Sequence, residues 1–155
     1  MGALVVYYSR TGNTKKIGEA IASLLDADVE QIDDVKSRKG TLGYVRSGRE
    51  ATMKSLPEIT NVKKRPVDYD LVVIGTPVWA FTMASPIRTY ITGHKDDFKK
   101  VAFFATEGGR GAENAFKEME KIIGKKPEAV VVFKEKEVKE QNYVNKVNEF
   151  AHKLK

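Results

Sequence analysis

Short apolar runs alternate with longer amphipathic stretches along this chain. Four runs are rich in Val, Ile, Phe and Ala, and three of them are nearly continuous, as is typical of strands buried on both faces. They span Leu4–Tyr8, Leu71–Gly75, Val101–Thr106 and Ala129–Phe133. A weaker run, Asp28–Ile32, predicts a fifth strand between the first two.

The stretches between these runs carry apolar residues at helical spacing. The repeats are Ile17, Ile21, Leu24 and Leu25, then Ala115, Met119, Ile122 and Ile123, and finally Val144, Val147, Ala151 and Leu154. A shorter helix is predicted at Ser85–Ile91, where Pro86 suits the first turn. Strands that alternate with helices predict an α/β fold, a doubly wound parallel sheet with helices on both faces. We expect one domain over residues 1–155.

One long segment departs from this pattern. Lys36–Arg65 is polar, contains three glycines and shows no regular apolar period. We expect one helix and a long loop here.

Composition narrows the classes of function. The chain has 155 residues and a net charge of +6, but its lysines are dispersed and not interleaved with aromatic residues, so we expect no nucleic-acid partner. It contains no cysteine, which excludes disulfides and thiolate chemistry. His94 and His152 lack the spacing of metal ligands, so no metal site is predicted. No apolar run is long enough to cross a membrane, and a cytoplasmic location is the default expectation.

Three unusual loops follow the predicted strands. Ligands of open parallel sheets bind beyond the carboxyl ends of the strands, so these loops should converge on one site. The first loop contains Ser9, Arg10, Thr11, Gly12, Asn13 and Thr14; the second contains Thr76, Pro77, Val78, Trp79, Ala80 and Phe81; the third contains Thr106, Glu107, Gly108, Gly109, Arg110 and Gly111.

The first loop has the chemistry of a phosphate-binding loop. It offers hydroxyl and amide side chains, a glycine for a tight turn, and the amides and positive dipole end of the following helix. The alternative is that Thr11 or Asn13 only caps that helix. The density of polar groups exceeds what a cap requires and favours the phosphate interpretation. The P-loop pattern is absent, and Asn114 replaces the last glycine of a dinucleotide fingerprint that would begin at Gly109.

The other two loops suit a flat ring. Trp79 is the only tryptophan and follows directly after a strand, where its side chain could stack on an aromatic ligand. Burial in the core is the alternative for such a residue. The glycines of the third loop would allow its backbone to approach a ligand closely, although an ordinary flexible turn explains them equally well.

Together these segments resemble a known family. YYSRTGNTKKIGEAIA resembles the FMN phosphate-binding segment of flavodoxins, and GTPVWAFTMASPI and FFATEGGRGAENAF resemble their two flavin loops. The resemblance implies a five-stranded sheet of order 2-1-3-4-5 and noncovalent FMN. It also implies that Ser9–Thr14 hold the phosphate and that Thr76–Ala80 and Thr106–Gly111 flank the ring.

Three features differ from the flavodoxin pattern. Familiar flavodoxins are acidic, their third loop often carries a stacking tyrosine, and their helix connections are shorter than Lys36–Arg65. Tyr44 could supply the missing ring, or the segment could form a lid or a dimer contact, and the sequence leaves these alternatives open.

The resemblance implies an electron carrier that shuttles electrons between redox partner proteins, including ones with acidic surfaces. No catalytic acid–base pair is evident near the loops. The alternative is an FMN-dependent NAD(P)H or quinone oxidoreductase in which Lys36–Arg65 roofs a substrate pocket and Arg110 meets an anionic substrate. A flavodoxin fold that has lost its flavin is a third possibility, which the intact first loop argues against. The sequence allows a monomer or a homodimer.

Overall fold

A computed structural model describes residues 2–35, 43, 45–49, 54 and 56–155. Residues 45–49 are helical, within the segment for which one helix was predicted. Tyr44, with its predicted role as a stacking ring, lies outside the described residues.

The described chain alternates strands and helices. Its strands are β1 (Ala3–Tyr7), β2 (Asp28–Gln31), β3 (Leu71–Trp79), β4 (Thr82–Met83), β5 (Lys100–Glu107) and β6 (Val130–Lys134). Besides residues 45–49, its helices are α1 (Asn13–Leu25), α2 (Ser85–His94), α3 (Ala112–Ile123), α4 (Glu135–Lys139) and α5 (Val144–Leu154), with a 3₁₀ turn at Pro66–Asp68.

The strands form a sheet of order β2-β1-β3-β5-β6, and all of these neighbours are parallel. In the order of the five predicted strands this is 2-1-3-4-5, so the predicted doubly wound topology is confirmed. The short strand β4 adds to β3 in antiparallel register, with Val78 opposite Met83 and Trp79 opposite Thr82.

Two apolar cores cover the two faces of the sheet. Along β1, Leu4 and Val6 enter one core, whereas Val5 and Tyr7 enter the other. The first core includes buried residues of α2 and α3, and the second includes buried residues of α1 and α5. Burial on both faces explains why the central strands are apolar throughout.

The end of β3 differs from the sequence prediction. Thr76–Trp79 were expected to form a loop, but they continue the strand, and a two-residue turn at Ala80 and Phe81 leads into β4. Pro77 is tolerated because β1 ends opposite Gly75, whose carbonyl accepts a hydrogen bond from the amide of Tyr8. Backbone groups two residues apart in a strand face the same neighbour, so the nitrogen of Pro77 also faces the β1 side, at a level beyond the end of β1. The missing N–H therefore breaks no hydrogen bond of the sheet.

Candidate functional site

The three predicted loops and helix α4 surround one cleft of about 480 Å³ at the carboxyl ends of the central strands. Its described lining consists of Arg10, Thr11, Asn13, Thr14, Pro77, Val78, Trp79, Thr106, Gly108, Gly109, Glu135 and Lys139. The predicted convergence of the loops is therefore present in the structure.

The first loop turns sharply into α1. Gly12 has a φ of 102°, in the region that favours glycine, and its amide donates to Ser9 Oγ at 3.0 Å. Its carbonyl accepts from the amide of Lys16 at 3.1 Å, which starts the helix. Thr14 is buried, and its hydroxyl lies 2.8 Å from that of Thr106 on β5. This contact joins the first loop to the third.

The β3–β4 hairpin forms the aromatic side of the cleft. Ala80 and Phe81 have φ values of 48° and 65°, as the central residues of a tight two-residue hairpin require. The hydroxyl of Thr76 accepts from the amide of Ala84 at 2.9 Å and donates to the carbonyl of Pro77 at 2.8 Å, which ties both strands together. Trp79 is half-buried and meets Tyr8 edge to face, with the ring centroids 5.5 Å apart.

The third loop is packed against this hairpin. Gly111 has a φ of 122°, and a Cβ at this position would lie 2.6 Å from the Cα of Phe81 and 2.9 Å from Val78 Cγ1. Asn114, the residue that broke the dinucleotide fingerprint, donates from Nδ2 to the carbonyl of Phe81 at 2.9 Å. The second and third loops therefore form one unit.

Charged groups fix the base of the third loop. Glu107 is buried and accepts a hydrogen bond from the amide of Ala112 at 3.0 Å, at the start of α3. Lys134 donates both to the carboxylate of Glu107 and to the carbonyl of Gly109. Glu107 is therefore engaged in holding the loop and does not line the cleft.

Helix α4 adds two charged residues to the cleft that the sequence analysis missed, Glu135 and Lys139. The helix is fixed by Glu137, whose Oε1 accepts from the amide of Lys134 and from Nζ of Lys146, each at 2.9 Å. Val138 is its buried residue. A five-residue helix with one buried apolar side chain leaves no period to detect, and only the acidic residue at its third position hints at a helix start.

The predicted site residues fall into two groups. Those in the lining face the cleft, whereas Ser9, Gly12, Thr76, Ala80, Glu107, Arg110 and Gly111 lie outside it. Several of the second group shape or hold the loops, as described above. Arg110 is exposed, and its guanidinium carbon lies 5.9 Å from the centroid of the Phe81 ring.

A partly buried ion cluster lies behind the hairpin, between α2 and α3, and includes the exposed Lys54. Oε2 of Glu118 accepts from Nη2 of Arg88 at 2.8 Å and from the hydroxyl of Thr82, and its Oε1 lies 2.8 Å from Nζ of Lys54. Burial alone raises the pKa of Glu118, but hydrogen bonds from Lys54, Thr82 and Arg88 outweigh it and lower the pKa to about 2. The carboxylate of Glu118 is therefore ionised at neutral pH.

The described residues contain no group of three or more His, Cys, Asp or Glu residues arranged to hold a metal ion. No helix within the described part of the chain is long and apolar enough to cross a membrane.

Comparisons with known proteins agree with the fold. The sequence model of the flavodoxin family matches residues 2–152. A flavoprotein in complex with FMN from Lactobacillus acidophilus NCFM aligns with a TM-score of 0.72 and 24% identity over 95% of this chain and 98% of that chain. Oxidised flavodoxin 1 from Bacillus cereus aligns with a TM-score of 0.57 and 16% identity over 99% of this chain and 96% of that chain. At these identities the likeness shows the fold alone.

A protein from Bacteroides eggerthii DSM 20697 aligns with a TM-score of 0.74 and 26% identity over 97% of this chain and 98% of that chain. A search of curated proteins found no matching sequence. The match of the family model over nearly all of the chain decides the class: the chain belongs to the flavodoxin family, as the three loops predicted.

Proposed function

We propose that this protein binds FMN in the cleft and carries electrons between redox partner proteins. The observation that carries the proposal is the convergence of the three loops on one cleft, whose lining combines polar residues with Pro77, Val78 and Trp79. Membership of the flavodoxin family and the fold shared with an FMN-containing flavoprotein support the same ligand.

The chemistry of the cleft fits FMN. Its volume lies in the range of about 300–1,000 Å³ that is usual for small-molecule sites. Thr11 and Asn13 lie at the start of α1, where amides and the helix dipole favour a phosphate, and Arg10 adds a positive charge there. Trp79 would contact the ring, and the glycines of the third loop would approach its other edge. When bound, FMN supplies one- and two-electron chemistry.

A carrier is favoured over an oxidoreductase by the groups around the cleft. Among the described residues that line it, Glu135 is the one carboxylate, and no histidine or tyrosine is present. A positioned proton donor typically accelerates substrate reduction by about 10²–10⁴-fold, whereas electron transfer between proteins needs none. The oligomeric state and the cytoplasmic location stay predictions.

Uptake of FMN is the first test. Apoprotein titrated with FMN should gain the absorption bands of a bound flavin, and the fluorescence of Trp79 should be quenched, because this only tryptophan lines the cleft. Heat denaturation of the complex should release unmodified FMN, since no covalent link is expected. Protein that takes up no FMN would contradict the proposal.

Turnover with nicotinamide separates the carrier from the oxidoreductase. FMN-loaded protein mixed anaerobically with NADPH should be reduced slowly, because the sequence carries no nicotinamide fingerprint. The same protein should be reduced quickly once a flavodoxin reductase is added. Rapid reduction of a quinone by NADPH without any partner would instead establish the alternative, an FMN-dependent NAD(P)H or quinone oxidoreductase.

A further inference from the structure

The rim of the cleft carries an exposed aromatic residue that the fold holds in place. The chain has seven phenylalanines, and all except Phe81 are buried. Phe81 is 58% exposed, at the tip of the β3–β4 hairpin. An exposed phenylalanine beside a candidate binding cleft is not explained by packing, because its ring contributes little to either core.

Several contacts fix this tip. The backbone of Phe81 has a φ of 65°, which a bulky residue adopts only under constraint. Its carbonyl accepts from Asn114, and Gly111 lies directly against its Cα with no room for a side chain. Both contacts come from the third loop or the start of α3. The ring is therefore presented in a defined position and not on a loose loop.

A positive charge accompanies the ring. The guanidinium of Arg110 lies over Phe81 at 5.9 Å from the ring centroid, within the range of a cation–π contact. The pair belongs to the same hairpin and loop that supply Trp79 and Gly109 to the cleft lining.

We propose that Phe81 and Arg110 form the docking surface through which acidic redox proteins receive electrons from the cleft, a proposal that rests on the proposed function. Aromatic and arginine residues are the side chains most enriched at protein interfaces and their energetic centres. The net charge of +6 and the exposed guanidinium of Arg110 favour a partner with an acidic surface. The pair lies beside the proposed flavin site, so a docked partner would be close to it.

The test uses two haem proteins of opposite charge as probes, acidic cytochrome b5 and basic cytochrome c. FMN-saturated protein is reduced with dithionite, and each ferric haem then takes one electron and becomes ferrous. At low ionic strength, Arg110→Glu should slow the reduction of cytochrome b5 about tenfold and accelerate that of cytochrome c. Added salt should bring the rates of variant and wild type together.

Phe81→Ala supplies an independent arm. It should slow the reduction of cytochrome b5 severalfold at high as well as low salt, because contact with the ring is not screened. Lys125→Glu makes the same charge change near the end of α3, away from the cleft, and serves as the matched control. Reduction of benzoquinone, which needs no docking surface, is measured in parallel.

The outcomes distinguish the two proposals. Protein that binds no FMN overturns the proposed function and this surface with it. If FMN is bound but Arg110→Glu behaves like Lys125→Glu with both cytochromes, the docking surface alone is overturned. A Phe81→Ala variant that slows benzoquinone as much as cytochrome b5 would assign the ring to the flavin environment and likewise overturn the docking role.

Discussion

Glu118→Gln should lower the free energy of unfolding at pH 7 by about 3 kcal/mol, because it leaves Arg88 without its carboxylate partner. The side chain of Arg88 is only 8% exposed, so water cannot easily replace the lost charge. Glutamine keeps the shape and one acceptor oxygen, and the loss therefore reports on charge and not on packing. Urea unfolding at pH 7 measures it, with Glu113→Gln on the exposed side of the same helix as control.

The loss should depend on pH in a defined direction. The pKa of Glu118 lies at about 2 in the folded protein against an ordinary value of 4.5, so folding favours the ionised form. The stability that this carboxylate contributes is fully present above pH 4.5 and disappears as the pH falls toward 2. Wild type and Glu118→Gln should therefore converge in stability on acidification. A difference that stays constant from pH 7 to pH 3 would contradict the assigned charge network.

Strand positions could be predicted because central strands are buried on both faces. The expected strand Leu4–Tyr8 corresponds to Ala3–Tyr7, and Ala129–Phe133 corresponds to Val130–Lys134. A run of apolar residues bounded by polar ones records this burial directly in the sequence. Helix periodicity was informative for the same reason, although Leu24 and Val144, counted in the apolar repeats, are exposed.

The continuation of β3 could not be predicted from local sequence. Gly75 and Pro77 suggest the end of a strand, and the predicted loop began there. Pro77 fits because the pairing of β1 with β3 ends at Gly75, two residues before Pro77. Local sequence does not show where a distant strand stops pairing. The hairpin turn was hidden as well, since neither Ala80 nor Phe81 is a residue that ordinarily marks a turn with positive φ.

The location of the site was easier to predict than the role of each residue. Polar residues that follow buried strands point to the correct edge of the sheet, whatever their side chains do. The role of each residue depends on the direction of its side chain. Thr106 lines the cleft, whereas the neighbouring Glu107 accepts from the first amide of α3 and from Lys134. Alternation along a strand gives such directions only when the register with neighbouring elements is known.

These contacts also suggest how the site keeps its shape. The hydroxyl pair Thr14 and Thr106 joins the first loop to β5, and Gly111 and Asn114 join the third loop to the hairpin. Each loop is thus held by another loop more than by its own sequence. A change at one of these junctions should affect cofactor affinity even where the altered residue does not face the cleft.

Gly111→Ala is the sharpest test of such a junction and should lower the free energy of unfolding by about 2–3 kcal/mol. Its φ of 122° is unfavourable for any residue with a Cβ, and the new methyl would overlap the Cα of Phe81 and a methyl of Val78. The contact with Phe81 is to backbone, so rotation of a side chain cannot relieve it. The hairpin and the third loop would have to separate.

Separation of the hairpin from the third loop should weaken FMN binding about tenfold or more, because Val78 of the hairpin and Gly109 of the loop both line the cleft. Equilibrium ultrafiltration measures the FMN affinity, and urea unfolding of the apoprotein measures stability. Gly109→Ala is the matched control for stability. Nothing lies within 4 Å of a Cβ placed at Gly109, and its φ is not positive, so the folded loop accepts alanine without strain. The substitution then acts only by lowering the conformational entropy of the unfolded chain. We therefore expect Gly109→Ala to match or slightly exceed the wild type in stability. Equal stability of the two alanine variants would show that hairpin and loop adjust independently, and the site would then not be the single unit described above.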